Sequence, residues 1–253
     1  RASLSYQHGK WEHRISGGRY AQIPLFREMK CDDGGVNTGV KSQNSWQVIF
    51  GNDLYFKADE RPFKLSLEAY YKHITNLNPY SIENVRIRYM AENCGHGYAA
   101  GFDAKISGEL VEGEESWACL SIMRTAEDID DDGHGWIPRP SDQRVSFSLF
   151  FQDHLPTNKS FGSNLNFIVG SGLPFGPPNS MRYKQTNRMP GYKRVDLGLF
   201  KDFGQNRDGS RKWAHVKSAR LGIEVFNLFD TANTISYFWV SDVTGGQYAV
   251  PNY

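Results

Sequence analysis

No stretch of this chain approaches the ~20 consecutive apolar residues that a membrane-spanning helix needs, so a helical membrane protein is excluded. Nor is there an excess of positive charge. Lys plus Arg number 29 against 28 Asp plus Glu, a formal charge of +1, which leaves nothing to neutralise a phosphate backbone, and a nucleic-acid partner is excluded on that ground. Cysteine is scarce: Cys31, Cys94 and Cys119 match no zinc or redox spacing and leave at least one thiol unpaired. The chain opens at Arg1 without an initiator Met, a basic n-region or an apolar h-region, so a fragment of a longer protein is expected.

Catalytic signatures are missing as well. Gly170–Gly176 carries neither the Gly-Lys-Ser/Thr of a phosphate-binding loop nor the Gly-x-Ser-x-Gly of a nucleophile elbow. The seven histidines are scattered, with no His-Glu-x-x-His pair to hold zinc. No residue is therefore assigned a catalytic role, no cofactor is implied by any motif, and an enzyme is not expected. One metal expectation stands: Asp128, Asp130 and Asp132, followed by Gly133, read as the opening of a calcium loop, with alternate carboxylates around one hard cation. The twelfth position, which should be a bidentate Glu, is Arg139, so any Ca²⁺ would sit in a loop rather than an EF-hand.

What the sequence does have is period two. Phe63, Leu65, Leu67, Ala69 and Tyr71 alternate with Lys64, Ser66, Glu68 and Lys72, giving a strand with one greasy and one wet face. The pattern returns in Val85, Ile87 and Tyr89 against Arg86 and Arg88, and in Phe102, Ala104 and Ile106 against Asp103 and Lys105. It continues in Val145 to Phe151 against Arg144 and the interleaved serines, in Leu165 to Val169, and in Ala219 to Val225 against Arg220 and Glu224. Weaker runs lie at Leu4 to His8, Gln47 to Lys57, Trp117 to Arg124 and Tyr192 to Phe203. The expectation is an all-β chain of about ten antiparallel strands.

Short connections (Ala58 to Pro62, Val111 to Glu115) alternate with long ones (Gly9 to Asn44, Asp128 to Asp142, Gly170 to Gly191), as in a transmembrane β-barrel with turns on one side and loops on the other. Aromatics at strand ends, such as Tyr55 and Phe56, Tyr70 and Tyr71, Phe150 and Phe151, and Tyr237 to Trp239, suit rings at a membrane interface. A mean hydropathy of −0.56 does not decide the matter, because barrel walls average out as polar. A soluble sandwich or lipocalin-like barrel alternates in the same way and stays open on periodicity alone. Cys31 and Cys94, if both lie in long loops of one side, are placed for an oxidised pair.

Longer words then resemble one family. Leu67-Glu68-Ala69-Tyr70-Tyr71-Lys72, Asn84 to Tyr89, Gly97 to Asp103, Ile137 to Arg144, Gly172 to Pro178, Arg194-Val195-Asp196, Glu224 to Asp230 and Tyr248 to Tyr253 together resemble the C-terminal barrel of TonB-dependent receptors, particularly those of Bacteroidetes. The resemblance implies that residues 1–253 are the C-terminal portion of a larger barrel of about 22 strands, with the N-terminal plug domain and the final strand outside them. It implies an outer-membrane receptor of a Gram-negative bacterium that binds a scarce nutrient and imports it with TonB-relayed energy. Its partners would be the TonB-ExbB-ExbD complex acting through the plug, a small ligand, a surface lipoprotein and outer-membrane lipid. On that layout Arg86, Arg88, Asp103, Arg144 and Arg220 line the lumen and contact ligand, or else pair with neighbouring charges. The alternatives are a passive pore, an adhesin-like barrel, or a soluble β-rich carbohydrate-binding domain.

Overall fold

The computed structural model describes residues 1–31, 33–83, 86–155, 157–178, 180–203 and 219–253, with the side chains of 82, 83 and 86 also left aside. Ten strands form the path of one antiparallel sheet in which each pairs with its neighbours in chain order, and an eleventh, the two-residue strand Ile137–Pro138, pairs off that path with Ala126 and Glu127. The ten are β1 (Ala2–His8), β2 (Trp11–Gln22), β3 (Gln43–Ala58), β4 (Arg61–Leu77), β5 (Gly95–Val111), β6 (Glu114–Ile129), β7 (Val145–Leu155), β8 (Asn158–Gly170), β9 (Tyr192–Phe203) and β10 (Ala219–Val225). Strands of 16 and 17 residues (β3 to β6) far exceed the five or six usual in globular sheets. They are long enough to cross a bilayer at a tilt.

The register carries the apolar row across the sheet without a change of phase. Leu4 faces Ile15, Ile15 faces Phe50, Phe50 faces Ala69, Ala69 faces Phe102, Phe102 faces Ile122, and Ile122 faces Val145. Further along, Leu149 pairs with Phe167 and Phe167 with Val195, while Leu165 pairs with Leu197 and Leu197 with Val225. Because a slip of one residue would turn a strand's whole apolar set to the other face, this shared phase fixes every pairing. The row is uncovered: Leu4, Phe50, Ile122, Leu221 and Ile223 are all exposed, Ile223 at 73%. A soluble sheet would bury such a surface, whereas a bilayer solvates it.

Connections at one end are minimal. The β1–β2 turn is Gly9-Lys10, the β3–β4 turn Asp59-Glu60 and the β5–β6 turn Glu112-Gly113. Asp59 and Glu60 both hold positive φ (48° and 63°), the two left-handed residues of a tight hairpin turn that matches strand twist. At the other end the connections are long and carry their own structure. Tyr80–Glu83 pairs with Arg86–Tyr89, Pro174–Phe175 with Asn187–Arg188, and Ser236–Ser241 with Gln247–Asn252, each as a two-stranded sheet off the main one.

Three sequence expectations change. The stretch Gly9 to Asn44 is not one long connection: it holds a two-residue turn, the 12-residue strand β2 and then a loop. The alternating run at 85–89 is no strand of the main sheet. Val85 lies outside the described residues, while Ile87 and Tyr89 belong to the loop hairpin, whose strands pair only with each other. Tyr237 to Trp239 are not at the end of a main-sheet strand either, since they sit on another loop hairpin, where Tyr237 stacks on Phe175 at 4.4 Å.

Candidate functional site

The polar face of the sheet is a lattice of ion pairs. One row runs Arg14, Gly51, Glu68, Asp103, Ser121 and Ser146 across β2 to β7. Arg14 Nη2 donates to Glu68 Oε1 at 2.8 Å over Gly51, where a β-carbon would come within 3.4 Å of the guanidinium. Lower on the same face Lys64 Nζ lies 2.9 Å from the buried Asp53 carboxylate. Near the short-turn end Arg220 donates twice to Asp202, at 2.7 and 2.9 Å, with its guanidinium 4.1 Å above the Phe200 ring. His154 Nδ1 sits 3.0 Å from Glu114 Oε1, beside Gln152, which donates to the other oxygen of that carboxylate. At the long-loop end Arg194 grips Asp196 through two bonds of 2.7 and 2.8 Å.

Sequence expectations for the lumen separate here. Asp103 stands on the polar face beside Glu68 and, among the described residues, has no ion pair. Arg220 and Arg144 are held by carboxylates, Arg144 through a 2.8 Å bond from its Nε to Asp142. Arg86 and Arg88 belong to the loop hairpin rather than the sheet, so neither is placed by a main-sheet strand, and the Arg86 side chain lies outside the described residues. The acidic run does not converge: Asp128 and Asp130 both turn to His96 (3.9 and 3.3 Å), while Asp132 accepts the His134 backbone N–H at 2.7 Å. Among the described residues no three His, Cys, Asp or Glu side chains are placed to hold a metal ion. Cys31 and Cys94 both lie in long loops but are free thiols, so the expected pair is not formed.

Above the long-loop end of the sheet, three loops meet in a buried network that no motif announced. Arg182, on a short helical turn of the 171–191 loop, donates from Nε to Glu127 Oε1 and to the Tyr80 hydroxyl, both at 2.7 Å, and from Nη2 to the Pro138 carbonyl. Glu127 lies two residues before the end of β6, Tyr80 belongs to the loop after β4, and Pro138 to the loop after β6. Glu127 is 2% exposed and its second oxygen lies 3.2 Å from Arg139 Nε. Fully buried Asp142 accepts the Thr125 N–H at 2.6 Å and the guanidinium groups of Arg144 and Arg188. Burial, and next the Glu127 charge, push the Tyr80 phenol well above its ordinary range, so it stays a neutral hydroxyl. Buried charges hold only when paired and hydrogen-bonded, so this network ties the loops after β4, β6 and β8 to the end of the sheet. Part of it was visible in sequence, since Ile137 to Arg144 was among the words that stood out; Glu127, Tyr80 and Arg182 carried no local signal.

The arrangement is an apolar row on one face of the sheet, a charged row on the other, and a cap of braced loops at one end. No family model and no curated protein matches the sequence. Solved structures do match. The copper transporter OprC superposes with a TM-score of 0.64 at 15% identity, over 92% of this chain and 33% of its own. The fold is that of an antiparallel β-barrel wall. The wall also matches the ferric-catecholate import receptor Fiu from E. coli K12 (TM-score 0.63, 16% identity, 92% and 30% coverage). A third match is the FrpB iron transporter from Neisseria meningitidis (0.56, 12%, 88% and 38%). The wall thus spans about a third of the length of these proteins.

Proposed function

We propose that the wall is part of an outer-membrane receptor of a Gram-negative bacterium, which binds a scarce nutrient at its long loops and imports it with TonB-relayed energy. The observation that carries this reading is the apolar row that keeps to one face of ten strands, four of them 16 or 17 residues long, backed by a charged face and capped by braced loops. The neighbours' cargoes, copper, a ferric catecholate and iron, make metal ions and their chelates the first class of ligand to try. In this reading short turns face the periplasm, long loops face outward, and Asp103 is offered inward to cargo, on the same face as Lys72, Lys105 and Glu224. Arg144 and Arg220 are taken up by their carboxylate partners and hold the wall's shape. The energy relay runs through a plug domain, which none of the ten strands supplies. Exposed Phe229, Ile235 and Phe238 beside the long loops support a surface lipoprotein as a further partner.

No bond is made or broken, so the test is uptake. The full-length protein is produced in a Gram-negative host lacking its own metal-chelate receptors, with TonB present or deleted, and accumulation of radiolabelled ferric chelates and copper is followed. Concentrative uptake that needs TonB supports the reading; uptake that only equilibrates and ignores TonB would identify a passive pore.

A further inference from the structure

The apolar face of the wall is not smooth. Near its short-turn end lies a groove of about 550 Å³ lined by Asp153, Phe161, Leu199, Lys201, Leu221 and Ile223, among others. That volume falls in the range of ligand clefts, about 300–1,000 Å³. Register places these side chains on the membrane side: Asp153 pairs with Ser163, Ser163 with Leu199 and Leu199 with Ile223, while Phe161 pairs with Lys201 and Lys201 with Leu221. The groove therefore spans β7 to β10, greasy along β9 and β10, with one cation and one anion at its rim.

Two charges on a hydrocarbon-facing surface are costly unless something at that depth answers them. Among the described residues no carboxylate lies within 4.0 Å of Lys201; its ammonium instead rests over the Phe161 ring at 4.2 Å and the Phe203 ring at 5.3 Å. Rings beside a lysine mark the headgroup level of a membrane, where the tip of the side chain meets phosphate. The Asp153 carboxylate accepts the backbone N–H of His154 at 2.6 Å through one oxygen, which leaves acceptor capacity on the other. Two strand spacings across the sheet and two residues along it, roughly 12 Å, separate the backbones of Asp153 and Lys201, a span that the lysine side chain and a zwitterionic headgroup bridge together.

We propose that this groove is a binding site for a phospholipid whose headgroup joins a phosphate to a primary ammonium, as in phosphatidylethanolamine. Lys201 takes the phosphate, Asp153 takes the ammonium, and one acyl chain lies along Leu199, Leu221 and Ile223. The proposal rests on the membrane reading given above. Charge complementarity selects the headgroup: an anionic lipid without the ammonium would meet Asp153 unanswered, and a trimethylated ammonium could not donate to it.

Full-length protein purified in detergent and exchanged into phosphatidylethanolamine, phosphatidylglycerol or phosphatidylcholine tests this by native mass spectrometry of retained lipid. Phosphatidylethanolamine should be retained most. Lys201→Gln should lower that retention at least fivefold, and Asp153→Asn should abolish the preference over phosphatidylglycerol. Ser163→Trp, which fills the groove while keeping both charges, should displace the lipid in a folded, heat-modifiable protein. Equal retention of all three lipids, or retention unchanged in Lys201→Gln and Asp153→Asn, overturns the proposal while leaving the membrane reading intact. A protein that stays monodisperse without detergent overturns both.

Discussion

Arg182 and Glu127, 55 residues apart in the chain, form a 2.7 Å ion pair from which water is almost wholly excluded, with 8% and 2% of the two residues exposed. Removing Arg182 leaves the buried Glu127 carboxylate with only Arg139 beside it, at a cost of about 3 kcal/mol, the lower end of the range for breaking a buried pair. Arg182→Met should therefore loosen the loops after β4, β6 and β8 together. Hydrogen exchange should rise in residues 78–94, 130–144 and 171–191 while β3 to β6 stay protected. The triple variant Arg182→Met, Glu127→Leu and Arg139→Met should recover most of that protection, since it removes Arg139, the other cation on the Glu127 carboxylate, as well.

The two faces of β6 differ residue by residue. Leu120 belongs to the apolar row and Ser121 to the charged one, where it pairs with Asp103 and Ser146. Leu120→Lys should cost about 2–4 kcal/mol of folding free energy in a bilayer, the penalty for a lysine at mid-depth. Ser121→Lys, one residue on, should stay within about 1 kcal/mol, because its charge meets Asp103 and water. Urea titrations of folding into vesicles give both numbers.

Cys94 lies half-buried in the loop after β4, 3.6 Å from a Glu92 carboxylate oxygen. Burial, then Glu92, raise its thiol above the ordinary value. The nucleophile is the thiolate, so maleimide labelling of Cys94 should be slow at neutral pH and accelerate only above the usual thiol range. Glu92→Gln should move that acceleration to lower pH; an unchanged profile would contradict the assignment.

Acid should open the last hairpin. The Asp242 carboxylate accepts bonds from the Thr244 hydroxyl and from the backbone N–H groups of Thr244 and Gly246, and the Thr244 hydroxyl leads in holding its pKa below the ordinary carboxylate value. A depressed folded-state value means that its contribution is present above the ordinary carboxylate range and is lost as pH falls through the lowered value. Hydrogen exchange in residues 236–252 should rise in that window, and Asp242→Ala should show the same increase at neutral pH.

Most of the wall was legible because one apolar and one polar face impose period two on its long strands. β4, β5 and β7 show this plainly, with runs such as Phe63 to Tyr71. β2 escaped because only Trp11 and Ile15 mark its outer row, with His13, Gly17 and Arg19 between and beyond them. The run at 85–89 misled for the opposite reason: a solvated hairpin alternates as well as a wall strand, and nothing local separates the two. The Arg182 contacts of the loop network were invisible, since this residue meets its partners across 44 to 102 residues of sequence, a relation set by the register of the wall and not by spacing. Likewise the approach of Asp128 and Asp130 to His96 of the neighbouring strand is set by register and does not show in the spacing of the acidic run at 128–132.

The most direct measurement is a cysteine scan of Ala118 to Met123 on β6 in the full-length protein, made in a background lacking Cys31 and Cys94 and with the native Cys119 kept only at its own position. Each thiol is spin-labelled in a bilayer and its collisions with oxygen and with a water-soluble nickel reagent are compared. The account predicts strict alternation, with oxygen favoured at 118, 120 and 122 and the nickel reagent at 119, 121 and 123. Reversed phase, or accessibility to water on both faces, would contradict it.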